Sequence, residues 1–249
     1  MAVVFGAGIV RGFSGFGFSA LCVAGLSLFM PPAQVVPPVF VLEVLASVSL
    51  LRGALKHADW RWLSWLVLGN VLCIPLGVAL LAFVDETPLR LIIGALLLVA
   101  AVLLRSGVVL ALQPTPALRL VTGLVSGFVN GVAAIGGIAV AVLLSSSAMA
   151  PAVMRATLIV MFLFTDLYAL SWAAWLPATD SGAPLLGADT LRWVLWLAPA
   201  MLAGIWAGQR HFAGVSPERF RRQVLNLLIL IALLSSLRAL VALMQGPFQ

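Results

Sequence analysis

The stretch Arg11-Gly12-Phe13-Ser14-Gly15-Phe16-Gly17-Phe18-Ser19 lies inside an apolar run that extends from residue 3 to residue 30. Glycine costs about 1 kcal/mol in a helix interior relative to alanine. Gly12, Gly15 and Gly17, so close together, predict a break in the run. The arm before the break, residues 3–13, is about 16 Å long at about 1.5 Å per residue. That is about half of a hydrocarbon core about 30 Å thick. A second run, 118–147, carries Gly127-Phe128-Val129-Asn130-Gly131 and then Ile135-Gly136-Gly137, and the same break is predicted there.

Unbroken apolar runs follow each broken one: 39–55, 62–83 and 89–104 after the first, then 156–175, 193–209 and 224–244 after the second. The chain therefore reads as a duplication, with a first repeat at 1–112 and a second at 113–249. Gly8-Ile9-Val10-Arg11-Gly12-Phe13 aligns with Gly123-Leu124-Val125-Ser126-Gly127-Phe128. Pro32-Ala33-Gln34-Val35-Val36 aligns with Pro151-Ala152-Val153-Met154-Arg155 at a larger offset, which requires a four-residue insertion in the second glycine region.

Composition agrees with a chain made of membrane segments. Of 249 residues, 63% are hydrophobic and 9% are charged, whereas soluble domains carry about 25% charged residues. A soluble fold has no way to cover that much apolar surface. Barrel strands alternate apolar and polar residues over about 10 positions, and these runs are continuous, so the expected class is an all-α integral membrane protein. The net charge of +6 resides in short loops between the runs. It is expected to set topology and to face anionic lipid rather than nucleic acid.

Charge counting favours re-entrant hairpins. If every run simply spanned, the basic residues would divide evenly between the two sides. If 3–30 and 118–147 enter and leave on one side, Arg52, Lys56, Arg61, Arg105, Arg119, Arg155, Arg210, Arg219, Arg221 and Arg222 share a face. The other face keeps Arg90 and Arg192 with Asp85, Glu86, Asp180 and Asp189. Excess Lys and Arg mark the cytoplasmic side. Each repeat then consists of one glycine-rich hairpin, re-entrant or broken, plus three transmembrane helices. Three is odd, so the second repeat is inverted relative to the first. Broken runs in corresponding positions of two inverted halves point to a transporter's binding site.

The candidate chemistry lies at those breaks. Helices leaving them, over 18–30 and 135–147, present N-terminal N–H groups with a partial positive charge, which attract anions. Ser14, Ser19 and Asn130 add donors. Arg11, a deep cation, is a candidate anion contact or a partner for Glu43. Asp166 and Glu43 are intramembrane carboxyls suited to proton coupling or to static ion pairs. Gly12-Phe13-Ser14-Gly15 has the form of an intramembrane serine-protease motif, but that chemistry needs a histidine base, and His57 and His211 fall in basic loops. No enzyme activity, metal or other cofactor is expected.

The segment from Arg11 to Leu21, with Pro31-Pro32 and Pro37, resembles the first repeat of the sulfite exporter TauE/SafE family. Ile135-Gly136-Gly137, Arg155-Ala156-Thr157-Leu158-Ile159 and Asp166 resemble its second. The resemblance implies a secondary exporter of small sulfur-containing anions such as sulfite, sulfoacetate or related sulfonates, in the bacterial inner membrane. Both glycine regions would form the site. Taken with the residues read above, the candidate anion-binding set is Arg11, Ser14, Gly15, Gly17, Ser19, Asn130, Gly131, Gly136, Gly137 and Arg155, with Asp166 and Glu43 as candidates for proton coupling. A passive anion channel, or an exporter of organic carboxylates, fits the same scaffold. The expected partners are the small anion and membrane lipid, and a homo-oligomer is compatible with the plan.

Overall fold

The computed structural model describes residues 1–106, 115–145, 149–176 and 185–211. The predicted run at 224–244, with Arg219, Arg221 and Arg222, lies outside them, as does Asp180. The described residues form helices α1 (Ala2–Ser14), α2 (Phe18–Leu26), α3 (Pro32–Ala54), α4 (Trp60–Phe83), α5 (Glu86–Ser106), α6 (Pro116–Ala133), α7 (Gly137–Ser145), α8 (Pro151–Trp175) and α9 (Ala188–His211). Among them there is no strand. Six of the helices, α3, α4, α5, α6, α8 and α9, are long and apolar enough to cross a membrane. The protein is a multi-pass membrane protein.

Local sequence explains the helix starts. Pro32, Pro116 and Pro151 occupy first-turn positions, where a missing N–H costs nothing. Asp59 caps α4 by accepting from the Arg61 and Trp62 amides at 3.0 and 3.1 Å, and Thr115 caps α6 through the Leu118 amide at 3.2 Å. Helix α3 begins at Pro32, seven residues ahead of the apolar run predicted at 39–55, and passes through Pro37 and Pro38. Both prolines lie past the first turn, so each forgoes an i→i−4 hydrogen bond of α3, and Glu43 falls in mid-helix.

The two breaks are narrower than the glycine clusters. Helix α1 ends on Gly15 at φ 79°, and Gly17 at φ 91° leads into α2. Helix α6 ends on Ala134 at φ 57°, also left-handed. Gly12, Gly127 and Gly131 stay helical. Gly15 and Ala134 correspond at the larger of the two offsets, while Gly12 and Gly127 correspond at the smaller. The four residues that separate the two offsets fit as just over one extra turn of α6 before its cap, a rotation of about 40° beyond a full turn.

The helical glycines serve close packing. Helix α1 packs on α9, and α6 packs on α4. A Cβ at Gly8 would stand 2.6 Å from the Met201 carbonyl oxygen, and one at Gly127 would stand 2.6 Å from Asn70 Cα. Gly123 and Gly131 likewise abut the backbone at Leu66 and Ile74. These are the small-residue contacts that let membrane helices approach. Both packings involve the helix that precedes a turn: α1 lies on α9, and α6 lies on α4.

Chain direction can be followed through contacts. Gly25, late in α2, touches the Val3 side chain early in α1, so these helices fold back on each other. After α6 the chain turns back as well, since Gly136 abuts the Ser126 carbonyl. Helices α3 and α8 pack in the centre. The Asp59 amide, just past α3, donates to Thr157 Oγ1 near the start of α8 at 3.0 Å, so the two run antiparallel. The Arg119 guanidinium, at the start of α6, lies 4.3 Å from the Trp62 ring at the start of α4. Lys56, Arg61, Arg119, Arg155 and Arg210 thus gather at one end of the bundle, and Asp85, Glu86, Asp189 and Arg192 at the other. Outward-facing Leu68, Leu72 and Leu76 of α4 are exposed, as expected of a surface meeting lipid.

Candidate functional site

The two turns meet at one buried place. Arg11, in the last turns of α1, is 0% exposed. Its guanidinium pairs with Glu43 Oε2 at 2.9 Å, donates to Ser47 Oγ at 2.9 Å and donates to the Gly15 carbonyl. Its carbon lies 4.4 Å from the centre of the Phe162 ring, and the same ring abuts Gly137 at the start of α7. Arg11 and Phe162 therefore join the first turn to the second. A full cation at this depth is tolerable because a carboxylate, a hydroxyl, a carbonyl and an aromatic face surround it.

Each broken pair is tied to the long helix that follows it by a carboxylate. Glu43 Oε1 of α3 accepts from the Ser19 amide at 3.2 Å and from the Ser19 hydroxyl at 2.8 Å, capping the open start of α2. Asp166 of α8 is linked through Asn130: Asn130 Nδ2 donates to Asp166 Oδ1 at 2.8 Å, and the Gly136 amide donates to Asn130 Oδ1 at 3.3 Å. Asp166 Oδ2 is buried and has no hydrogen-bond partner among the described residues. At the larger repeat offset Glu43 corresponds to Phe162 and Ser47 to Asp166.

Most of the predicted donors have protein partners. The Ser14 hydroxyl donates to the Val10 carbonyl at 2.8 Å or the Phe16 carbonyl at 2.7 Å, closing the first turn. Ser19 and Asn130 are engaged as described. Gly15 and Gly17 form the first turn, and Gly136 and Gly137 the second. Gly131 instead faces α4 from within the last turn of α6, and the second helical arm opens at Gly137. Arg155, near the start of α8, crosses to the first half: its Nη2 donates to the Gly12 carbonyl at 2.8 Å, and its side chain lies against Gly15. Sequence inspection had no signal for Ser47 or Phe162, whose roles depend on facing helices. It also passed over Ser126 Oγ, which donates to Asn70 Oδ1 at 3.2 Å between α6 and α4.

A cavity of about 330 Å³ opens at the basic end of the bundle. Ser49, Gly53 and His57 from the α3 side, Ala152 and Arg155 from α8 and Gln209 from α9 are among the residues that line it. It leads to the guanidinium of Arg155 and thus to the outer side of the first turn.

Comparison with known proteins gives a concordant result. The model of the family described as sulfite exporter TauE/SafE matches residues 1–235. Over 226 residues the chain is 26% identical to a protein of Cupriavidus necator named a probable sulfite/organosulfonate exporter TauE; the match covers 87% of this chain and 84% of that protein. No solved structure matches the chain.

Proposed function

We propose that this chain, which belongs to the sulfite exporter TauE/SafE family, is a secondary transporter that exports small sulfur-containing anions across the bacterial inner membrane. One observation carries the reading: two glycine-rich turns from different halves meet at buried Arg11, Phe162 and Gly137. Interrupted helices at membrane depth are tolerated where they are buried in protein or line a water-filled cavity, and in transporters such interruptions hold the substrate. The relative's name supports sulfite or an organosulfonate as the cargo.

The proposed architecture is two inverted repeats, 1–112 and 113–249. Hairpin α1–α2 enters from the periplasm and hairpin α6–α7 from the cytoplasm. The fold-back contact of Val3 with Gly25 supports the first hairpin, and the position of Arg119 over Trp62 supports the second. The exchanged packing of α1 on α9 and α6 on α4 supports the two-fold relation. The basic end, with Lys56, Arg61, Arg119, Arg155 and Arg210, is cytoplasmic by the positive-inside rule.

The anion is bound between the turns formed by Gly15, Gly17, Gly136 and Gly137, with Ser14, Ser19, Asn130 and Gly131 shaping or supporting that backbone. Arg11 and Arg155 supply positive charge, of which Glu43 neutralises part. Asp166 is the proposed coupling acid. Its Oδ2 has room for a proton, and protonation would leave the arginine charge less compensated and the anion better held. A second acid, Glu43, is committed to Arg11 and Ser19 and holds the first turn in place.

A thermal-shift screen of the purified protein against sulfite, sulfoacetate, other sulfonates and simple carboxylates tests this reading. A ligand at a hundredfold its Kd stabilises the folded state by about 2.7 kcal/mol. Stabilisation by a sulfur oxyanion beyond that given by chloride and carboxylates is expected. Equal response to all anions would remove the proposed substrate class.

A further inference from the structure

Arg155 is the cation of the central region whose partner is weakest. Arg11 faces a carboxylate at 2.9 Å. Arg155 bonds a neutral carbonyl, that of Gly12, its Nε is buried with no hydrogen-bond partner, and among the described residues no carboxylate pairs with it. It also stands in the wall of the 330 Å³ cavity, with Ser49, Gly53, His57, Ala152 and Gln209 around it. None of these lining residues is acidic. Charge-assisted hydrogen bonds are about twice as strong as neutral ones. An oxyanion in the cavity would therefore outcompete the Gly12 carbonyl for this guanidinium.

We propose that the cavity is the loading vestibule for the transported anion, and that Arg155 is a latch between it and the first turn. In the empty protein Arg155 holds the end of α1 through Gly12 and packs against Gly15. When an anion with two or more oxygens binds in the vestibule, Arg155 turns its fork to the anion and lets go of Gly12. The end of α1 and the Gly15–Gly17 turn are then free to admit the anion to the space between the hairpins. The ligand class is a small oxyanion with a compact tetrahedral or planar oxygen face, a sulfonate above all. Its fork geometry makes arginine, rather than lysine, the fitting residue. This inference rests on the exporter reading for the direction of travel but not for the anion site itself.

The test uses purified full-length protein in lipid nanodiscs, with Cys22 and Cys73 replaced by alanine and Ser49→Cys placed in the vestibule wall. Labelling rates are compared for an anionic methanethiosulfonate reagent bearing a sulfonate and for its cationic trimethylammonium analogue. A cleft lined by one sign of charge raises local counter-ion concentration at least about tenfold. The anionic reagent is expected to gain about tenfold over its cationic analogue, relative to their rates with free cysteine, and Arg155→Gln is expected to abolish the gain. Methanesulfonate, which does not attack the reagent, should slow labelling with a neutral reagent in the parent and not in Arg155→Gln. Hydrogen exchange over residues 9–17 should quicken with methanesulfonate in the parent alone.

Equal charge preference in parent and Arg155→Gln, with no protection by methanesulfonate, would overturn the vestibule. Protection without faster exchange at 9–17 would overturn the latch. If Arg155→Gln fails to fold, Arg155→Lys serves in its place: it keeps the charge preference and loses the protection. Absence of export in vesicles with preference and protection intact would instead strike the exporter reading and leave the anion site standing.

Discussion

Replacing Glu43 with leucine would leave the Arg11 guanidinium facing only neutral acceptors, Ser47 Oγ and the Gly15 carbonyl. Both partners of the pair are fully buried, so solvent cannot substitute for the lost carboxylate. Breaking a buried pair from one side costs about 3–5 kcal/mol. Arg11→Met breaks it from the other side and also removes the contact with the Phe162 ring, about 2 kcal/mol when desolvated. The double variant removes both charges at once. An apolar replacement of a whole buried pair is often neutral or better, although the Ser19 and Ser47 hydroxyls then lose partners at about 1–3 kcal/mol for each buried group left unsatisfied. The double variant should therefore be far more stable than the two single losses predict, by several kcal/mol. Denaturant unfolding of the four proteins in mixed micelles measures this. A double variant that folds where a single variant does not would carry the same meaning. Additive losses, agreeing within about 0.5 kcal/mol, would refute the claim that Arg11 and Glu43 act as one unit joining the two turns.

Three further outcomes are expected. Asp166→Asn should keep the fold, since its carbonyl can still accept from Asn130, while transport loses most of its dependence on an imposed pH gradient in a vesicle flux assay. Gly127→Ala should destabilise by at least the 1–3 kcal/mol usual for overpacking, because its Cβ would stand 2.6 Å from Asn70 Cα; Gly6→Ala, with nothing within 4 Å of the new Cβ, should gain about 0.5–1 kcal/mol in the same thermal unfolding measurement. Impermeant thiol reagents should label Lys56→Cys from the cytoplasmic face and Asp189→Cys from the periplasmic face of oriented vesicles.

The breaks were legible in the sequence because Gly15 and Gly17 occupy left-handed backbone that other residues avoid. Ala134 takes the same conformation without glycine, so the second break could be placed only near Gly136 and Gly137. The other glycines were harder to interpret. A break and a close helix crossing both require the missing Cβ, and Gly12, Gly127 and Gly131 turned out to serve the crossing. Nothing in their own neighbourhood distinguishes the two uses; the facing backbone at Ile205, Asn70 and Ile74 does. Arg11 and Glu43 were visible as buried charges, and their pairing was one of two alternatives, because the fold-back of α1 and α2 sets which groups share a depth. The Arg155 bond to Gly12 spans 143 residues, beyond the reach of any local pattern.

Flux in proteoliposomes tests the central claim most directly. The purified protein, reconstituted into vesicles loaded with a labelled sulfonate, is given an imposed membrane potential and pH gradient, and efflux is followed with and without an uncoupler. The potential contributes about 2.3 kcal/mol per charge per 100 mV. Saturable efflux is expected above that of protein-free vesicles, carried against a sulfonate gradient while the driving force lasts and lost when the uncoupler collapses it. Efflux no faster than from protein-free vesicles would contradict transport, and efflux that only ever runs downhill and is indifferent to the uncoupler would contradict an exporter in favour of a channel.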